Sequence, residues 1–221
     1  MEKIRKNGIL SGVFFAVFLL LILLIRLVDV QPIGPMDTEI GFAALNGLVH
    51  EATGVHPFFE KLTDLMGLGS MAVGFLLCCG APIQFLKYRS LKKVNKVLLL
   101  LIAFYLLLGV VYVFFEIVVV NLRPVLEAGA LEPEASFPSS HTVLCCSVLG
   151  SFLVVLRLSG ETGKLSTTVR VILWVLIAVA VVGRLVSGVH WFTDILGGVL
   201  LSFALVFGLK AVLCGVKGRK N

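Results

Sequence analysis

Long apolar runs with almost no charge alternate with short polar clusters along the whole chain. The runs extend from Gly8 to Ile25, Leu65 to Leu86, Val97 to Phe115, Thr142 to Leu156, Val171 to Gly183 and Ile195 to Leu209. A run of about 20 apolar residues crosses the hydrocarbon layer as a helix, because a helix satisfies its own backbone polar groups there. The pattern therefore predicts an all-α polytopic membrane protein with six transmembrane helices. The last three runs are short by charge count alone, and each extends at its outer end through His141, Arg184 or Asp194. Ionisable groups at span ends are costly unless they serve a purpose. The first run is too long for a signal peptide and no small-x-small cleavage pattern follows it, so it is expected to remain as a span.

Two connecting segments are sizeable. Residues 30–61 surround a mildly apolar stretch, Ile40 to Val49, which predicts a short interfacial or re-entrant helix in place of a seventh crossing. Residues 121–138 form a second loop, acidic through Glu127, Glu132 and Glu134. Without an internal repeat or a low-complexity tract, residues 1–221 read as a single membrane-embedded domain.

Composition narrows the class further. The 221 residues are 58% hydrophobic and only 14% charged, whereas a soluble domain carries roughly a quarter charged residues. A soluble enzyme is excluded. The net charge of +6 would suggest nucleic acid in a soluble protein, but its distribution here follows the spans, and no nucleic-acid partner is expected. The N-terminus, the loops 87–96 and 157–170 and the tail from Lys210 together hold 15 basic residues against Glu2 and Glu161, a balance of +13. The other face has Arg26, Lys61, Arg123 and Arg184 against 11 acids, a balance of −7. By the positive-inside rule both termini are cytoplasmic and the loops 30–61 and 121–138 lie outside.

Cys78, Cys79, Cys145 and Cys146 fall within the apolar runs and Cys214 follows the last one, all in helical spans where Cys behaves as a small apolar residue, so neither a disulfide nor a zinc site is expected. A cysteine-nucleophile phosphatase would need an Arg six residues beyond the Cys. Ser151 and Phe152 stand there instead.

Three polar clusters carry the candidate chemistry, and the topology places all three at the outer ends of spans three to six. The first is Asn121-Leu122-Arg123-Pro124, where Pro stops the third helix. The second, Phe137-Pro138-Ser139-Ser140-His141, opens the fourth span with Ser139 as a helix cap. A helix N-terminus with free amides, hydroxyls and an adjacent His is also an anion site. The third runs from Gly183 through Asp194 and joins spans five and six. His190 and Asp194 share a helix face if the sixth helix has begun, and the carboxylate would then fix the imidazole tautomer. Each Arg alone reads as a headgroup anchor. Together, two Arg forks, two His, an Asp and a helix N-terminus can bind a phosphate and move protons.

These residues, in this order, resemble the type 2 phosphatidic acid phosphatase superfamily of membrane lipid phosphatases and acid phosphatases. The family pattern is a Lys, six residues, Arg-Pro; then Pro-Ser-Gly-His; then Ser-Arg, five residues, His, three residues, Asp. Arg123-Pro124, Pro138-Ser139-Ser140-His141, and Arg184, His190 and Asp194 match it with both internal spacings intact. The resemblance implies that His190 is the nucleophile that becomes a phosphohistidine, with Asp194 orienting it and His141 protonating the leaving oxygen. It implies that Arg123, Arg184 and Ser139, with amides at Ser140 and His141, clamp the phosphate oxygens. It implies neither metal nor cofactor, in keeping with a sequence that offers no carboxylate cluster or His/Cys ligand set.

Three positions depart from the pattern. Gly183 replaces a Ser and Ser140 a Gly, both small for small. Glu116 stands where the family has its Lys, two turns before Arg123 on the same helix face. It pairs with and orients an Arg, accepts a hydrogen bond from a cationic or hydroxylated headgroup, or weakens catalysis. The first reading is preferred.

The resemblance implies a cell-membrane phosphatase acting on a lipid phosphate or diphosphate from the extracytoplasmic side, in a bacterial envelope role. Undecaprenyl pyrophosphate, phosphatidylglycerol phosphate and phosphatidic acid are the substrates it suggests, with an apolar entry between helices. The alternatives are phosphotransfer from a lipid diphosphate and a catalytically weakened lipid-phosphate-binding protein. A transporter fits poorly, because the charges sit at span ends and no inverted repeat is visible. His50 and His56 read as solvated or interfacial, Trp191 as an aromatic-belt residue or a lining of the pocket rim, and Gly197 and Gly198 as allowing close helix packing.

Overall fold

A computed structural model describes residues 1–126 and 129–218, so Glu127 of the acidic loop and Arg219 and Lys220 of the basic tail lie outside the described residues. In these residues eight α-helices follow in order: α1 (Glu2–Leu27), α2 (Ala43–Thr53), α3 (Pro57–Cys78), α4 (Gly80–Tyr88), α5 (Lys96–Ile117), α6 (Ser140–Ser159), α7 (Lys164–Val186) and α8 (Phe192–Gly218). Among the described residues six helical segments are long and apolar enough to cross a membrane, α3 and α4 counting as one from Pro57 to Tyr88. Among the described residues there is no strand, only two isolated bridges, Gln31 with Ile40 and Leu122 with Ala135. The protein is a multi-pass, all-helical membrane protein.

Local sequence explains the helix limits. Pro57 opens α3, where a missing N–H costs nothing, and Pro82 removes the bond that would have carried α3 smoothly into α4. Asn95 caps α5 by accepting from the Val97 amide at 3.0 Å, and Gly160 closes α6 with a φ of 81°. The predicted short helix is present as α2, shifted to residues 43–53. The second span differs most from its expectation. It starts at Pro57 and not at Leu65, which moves Thr63 and Asp64 from the connecting loop onto a helix. The last three spans likewise run past their uncharged cores, because Arg184 and Asp194 are paired and need no solvent.

α6 is the centre of the bundle: 56% of its apolar window is buried, against 17–33% for the other spans. Its neighbours approach through small residues. A Cβ added at Gly198 would lie 2.9 Å from the Thr142 side chain, and one at Gly67 would lie 2.9 Å from the His141 ring. Close packing of this kind, and not a hydrophobic effect between helices, is what holds spans together in lipid. α1 lies along α8, with Phe14 against Phe203 and Phe207 and the Ser11 hydroxyl on the Ala204 carbonyl at 2.7 Å.

Candidate active site

Four segments meet at one end of the bundle: the start of α3, the loop 121–139, the end of α7 and the turn 187–194. Backbone and side-chain bonds tie them together. The Arg123 amide donates to the Glu134 carbonyl at 2.9 Å and the Ser136 amide to the Asn121 carbonyl at 2.9 Å, folding the loop back on itself. The Trp191 indole donates to the Leu122 carbonyl at 2.8 Å, and the His56 amide to the Ser187 carbonyl at 3.0 Å. Gly188, with a φ of 76°, has room only for hydrogen, since a Cβ there would meet the Gly54 carbonyl at 2.2 Å. Asn46 of α2, fully buried, donates to Thr193 Oγ1 at 3.0 Å and accepts from the Thr193 amide at 3.2 Å. The loop helix α2 is thus fastened to the start of α8.

His190 is buried in the turn before α8, and its Nε2 has no hydrogen-bond partner among the described residues. Burial pushes its pKa well below the ordinary value, and the charges of Arg184, Arg123 and His141 push it in the same direction. The ring is therefore neutral at physiological pH. Asp194, expected to orient it, lies with Oδ2 3.9 Å from Nδ1, within ion-pair range but too far for a direct hydrogen bond. α8 begins only at Phe192, so the two residues do not share a helix face as an i, i+4 pair would. Ser136 stands between them, its Oγ 2.9 Å from His190 Nδ1 and 2.5 Å from Asp194 Oδ2. Asp194 also accepts from the Trp191 amide at 2.9 Å and from Asn121 Nδ2 at 3.2 Å.

His141 occupies the first turn of α6, with Nε2 3.2 Å from Asp64 Oδ1 and Nδ1 buried without a partner. Arg184, at the end of α7, is 2% exposed. Its Nη1 donates to Thr63 Oγ1 at 3.2 Å and to Asp64 Oδ1 at 3.0 Å, while Nε has no partner among the described residues. Arg123 Nη2 lies 3.4 Å from Glu134 Oε2. Ser139 caps α6 as expected, accepting from the Thr142 amide at 3.4 Å and from Thr142 Oγ1 at 3.1 Å. Because it accepts both bonds, its own hydrogen has no acceptor among the described residues. Ser140 is the first residue of α6 and is partly buried beside it.

The pairing preferred for Glu116 is not among the ion pairs of the described residues. Arg123 takes Glu134 instead, and Glu116, exposed near the end of α5, sits beside Tyr112 one turn earlier. Trp191 is not a belt residue: it is 2% exposed and packs against His50, with ring centroids 5.4 Å apart. His50 is accordingly no solvated loop residue, and burial lowers its pKa. His56 is exposed and bonds the Thr53 carbonyl at 2.8 Å.

The sequence reading missed Asp64, Thr63 and Ser136. One signal for the first two was present. Thr63, Gly67, Ser70 and Gly74 form a small-residue stripe at helical spacing and are all buried, which marks the packing face of α3 and carries its start into the site. The stripe also accounts for Gly183 in place of the family Ser, because a Cβ there would approach Thr63 Cγ2 at 3.1 Å. Ser136 had no such signal; its place depends on the loop closing over Asn121.

The sequence profile of the PAP2 superfamily matches residues 97–214, more than half of the chain. The chain belongs to the PAP2 superfamily. Among solved structures it is similar to a transmembrane PAP2-type phosphatidylglycerolphosphate phosphatase from Bacillus subtilis, at 18% identity and a TM-score of 0.62, over 96% of this chain and 98% of that one. The fold is thus that of a PAP2-type membrane phosphatase. No curated protein matches the chain by sequence.

Proposed function

We propose that the protein is a metal-independent phosphatase of the cell membrane that removes phosphate from a lipid phosphate or diphosphate through a phosphohistidine. The observation that carries this reading is the buried, unpartnered Nε2 of a neutral His190, in a site that also gathers Arg184, Arg123 and His141. A neutral imidazole nitrogen is a nucleophile, and guanidinium forks hold non-bridging oxygens while charge builds up in the transition state.

In the proposed reaction His190 Nε2 attacks phosphorus and the bond to the leaving oxygen breaks. His141 gives that oxygen its proton. The unpartnered Arg184 Nε, the Ser139 hydroxyl and the amides that open α6 bind the oxygens of the phosphoryl group. Water then attacks the phosphohistidine, loses its proton to His141 and frees phosphate, returning both histidines to their starting states. The acyl or prenyl chain stays in lipid beside the exposed apolar faces of the spans. The charge asymmetry of the loops supports a site that faces the extracytoplasmic side.

The test is phosphate release by the purified full-length protein in detergent, with EDTA present. Phosphatidylglycerol phosphate, the substrate type named for the Bacillus subtilis protein, is the first lipid to try. Undecaprenyl pyrophosphate and phosphatidic acid complete the panel. The expected result is release that EDTA leaves intact and His190→Ala abolishes, with an acid-labile phosphoenzyme in the parent. Release that survives His190→Ala, or a folded protein inert toward all three, overturns the reading.

A further inference from the structure

We infer that Ser136 is a positioning residue of the reaction, coupling Asp194 to His190 and fixing the tautomer in which Nε2 carries the lone pair. The inference rests on the proposed role of His190 as nucleophile. It names a group outside the family's pattern, two residues before Pro138.

Counting hydrogens at the three groups gives the tautomer. The Ser136 hydroxyl donates to Asp194 Oδ2 at 2.5 Å, and both carboxyl oxygens accept further bonds from the Trp191 amide and Asn121 Nδ2, so this contact uses the single hydroxyl hydrogen of Ser136. Toward His190 Nδ1, at 2.9 Å, Ser136 then has only lone pairs to offer. Nδ1 must carry the hydrogen, and in a neutral ring this leaves the lone pair on Nε2. Nε2 is the ring nitrogen without a partner, as a nucleophile requires. Asp194 cannot do this alone across 3.9 Å. When Nε2 bonds to phosphorus the ring becomes cationic, Nδ1 keeps its hydrogen, and the polarised Ser136 hydroxyl carries the stabilising influence of the carboxylate to it.

Ser136 is well placed for such a role. It is 2% exposed, and its amide is held by the Asn121 carbonyl. Phe137, the next residue, stacks on Phe18 with centroids 5.7 Å apart and meets Phe115 edge-on at 6.2 Å. The far side of the relay is equally fixed, since Asn121 bonds both Ser136 through its carbonyl and Asp194 through its side chain. A serine that merely filled a polar gap would need neither bond to be short nor both partners to be held.

The experiment uses the full-length protein in detergent with the three lipids of the panel. Ser136→Ala is expected to lower kcat by on the order of 100-fold, the size of a general-base positioning effect, with KM nearly unchanged. Ser136→Thr, which restores the hydroxyl, should recover much of the loss, and Ser136→Val, of the same shape without it, should not. Because both add bulk at a buried position, a double-mutant cycle with Asp194→Asn gives a second reading. If Ser136 is the link, Asp194→Asn costs much less in the Ser136→Ala background than in the parent. A kcat for Ser136→Ala within about threefold of the parent, or losses that simply add, overturns the inference. Activity abolished by His190→Ala but retained in Ser136→Ala removes only the role of Ser136. Activity indifferent to His190→Ala removes the proposed function and this inference with it.

Discussion

Asp64 Oδ1 lies 3.0 Å from Arg184 Nη1 and also 3.2 Å from His141 Nε2, so one carboxylate engages both the expected phosphate clamp and the expected acid. It comes from α3, which contributes no motif to the family pattern. Its side chain is half exposed, whereas that of Arg184 is 2% exposed, so the carboxylate is the member of the pair with room to move. A phosphate approaching Arg184 meets this charge. At a few ångström and a dielectric suited to a partly exposed site, one like charge costs on the order of 1 kcal/mol or more. Asp64→Asn keeps an acceptor for Arg184 and removes the charge. The expected outcome is a KM lowered about fivefold, read in steady-state phosphate release. A raised KM with a reduced kcat would show instead that Asp64 orients Arg184 and His141.

Glu116 is a further acid near Arg123, and its expected effect is smaller. It is exposed and sits beside Tyr112, while Arg123 is engaged by Glu134. Removing its charge leaves the Arg123 contact with Glu134 in place. Glu116→Gln is expected to keep phosphate release within about tenfold of the parent, as exposed charges usually contribute little. Assaying the variant beside His190→Ala checks this, because a comparable loss in both would mean that Glu116 acts on the reacting groups.

The two acids show what the sequence could reveal. Glu116 stood out because it interrupts a family spacing, and Asp64 did not because it interrupts none. The six spans, the three polar clusters and the capping role of Ser139 were all legible, since each follows from hydrophobic periodicity or from a local motif. The relay of Ser136 and the arrival of Thr63 and Asp64 were not, because both depend on tertiary closure. α3 reaches the site through Gly67 and Gly183, and the acidic loop reaches it through a short bridge between Leu122 and Ala135. His190 and Asp194 are also not helix neighbours, since α8 begins only at Phe192, two residues after His190.

The depressed pKa of His190 makes stability depend on pH. Its ordinary value is 6.5 and burial lowers it well below that in the folded protein. Between the two values the unfolded chain holds a proton that the folded chain does not, so stability falls as pH drops below 6.5. The slope is at most about 1.4 kcal/mol per pH unit, and above that range the contribution is flat. Thermal unfolding of the parent and of His190→Gln in detergent, at a series of pH values, tests this. The parent should lose apparent Tm on acidification more steeply than the variant, and parallel curves would mean that His190 is not buried as a neutral ring. The nucleophile stays unprotonated over the same range, so an acid limb in the rate near pH 6.5 must come from another group.

Gly197 couples the packing of the bundle to the relay. A Cβ at this position would lie 2.3 Å from Phe137 Cε2 and 2.6 Å from Cζ, and the ring cannot retreat because Phe18 stacks on its face and Phe115 closes its edge. Gly197→Ala must therefore push Phe137, and with it Ser136, or separate α8 from the loop. Overpacking of this kind costs about 1–3 kcal/mol. Gly109→Ala is the control, since nothing lies within 4 Å of its Cβ and the change only removes a flexible residue from a helix. The expected result is a lowered Tm and a reduced kcat for Gly197→Ala, against an unchanged or slightly raised Tm and unchanged activity for Gly109→Ala. Equal behaviour of the two variants would mean that Phe137 does not hold Ser136 against α8.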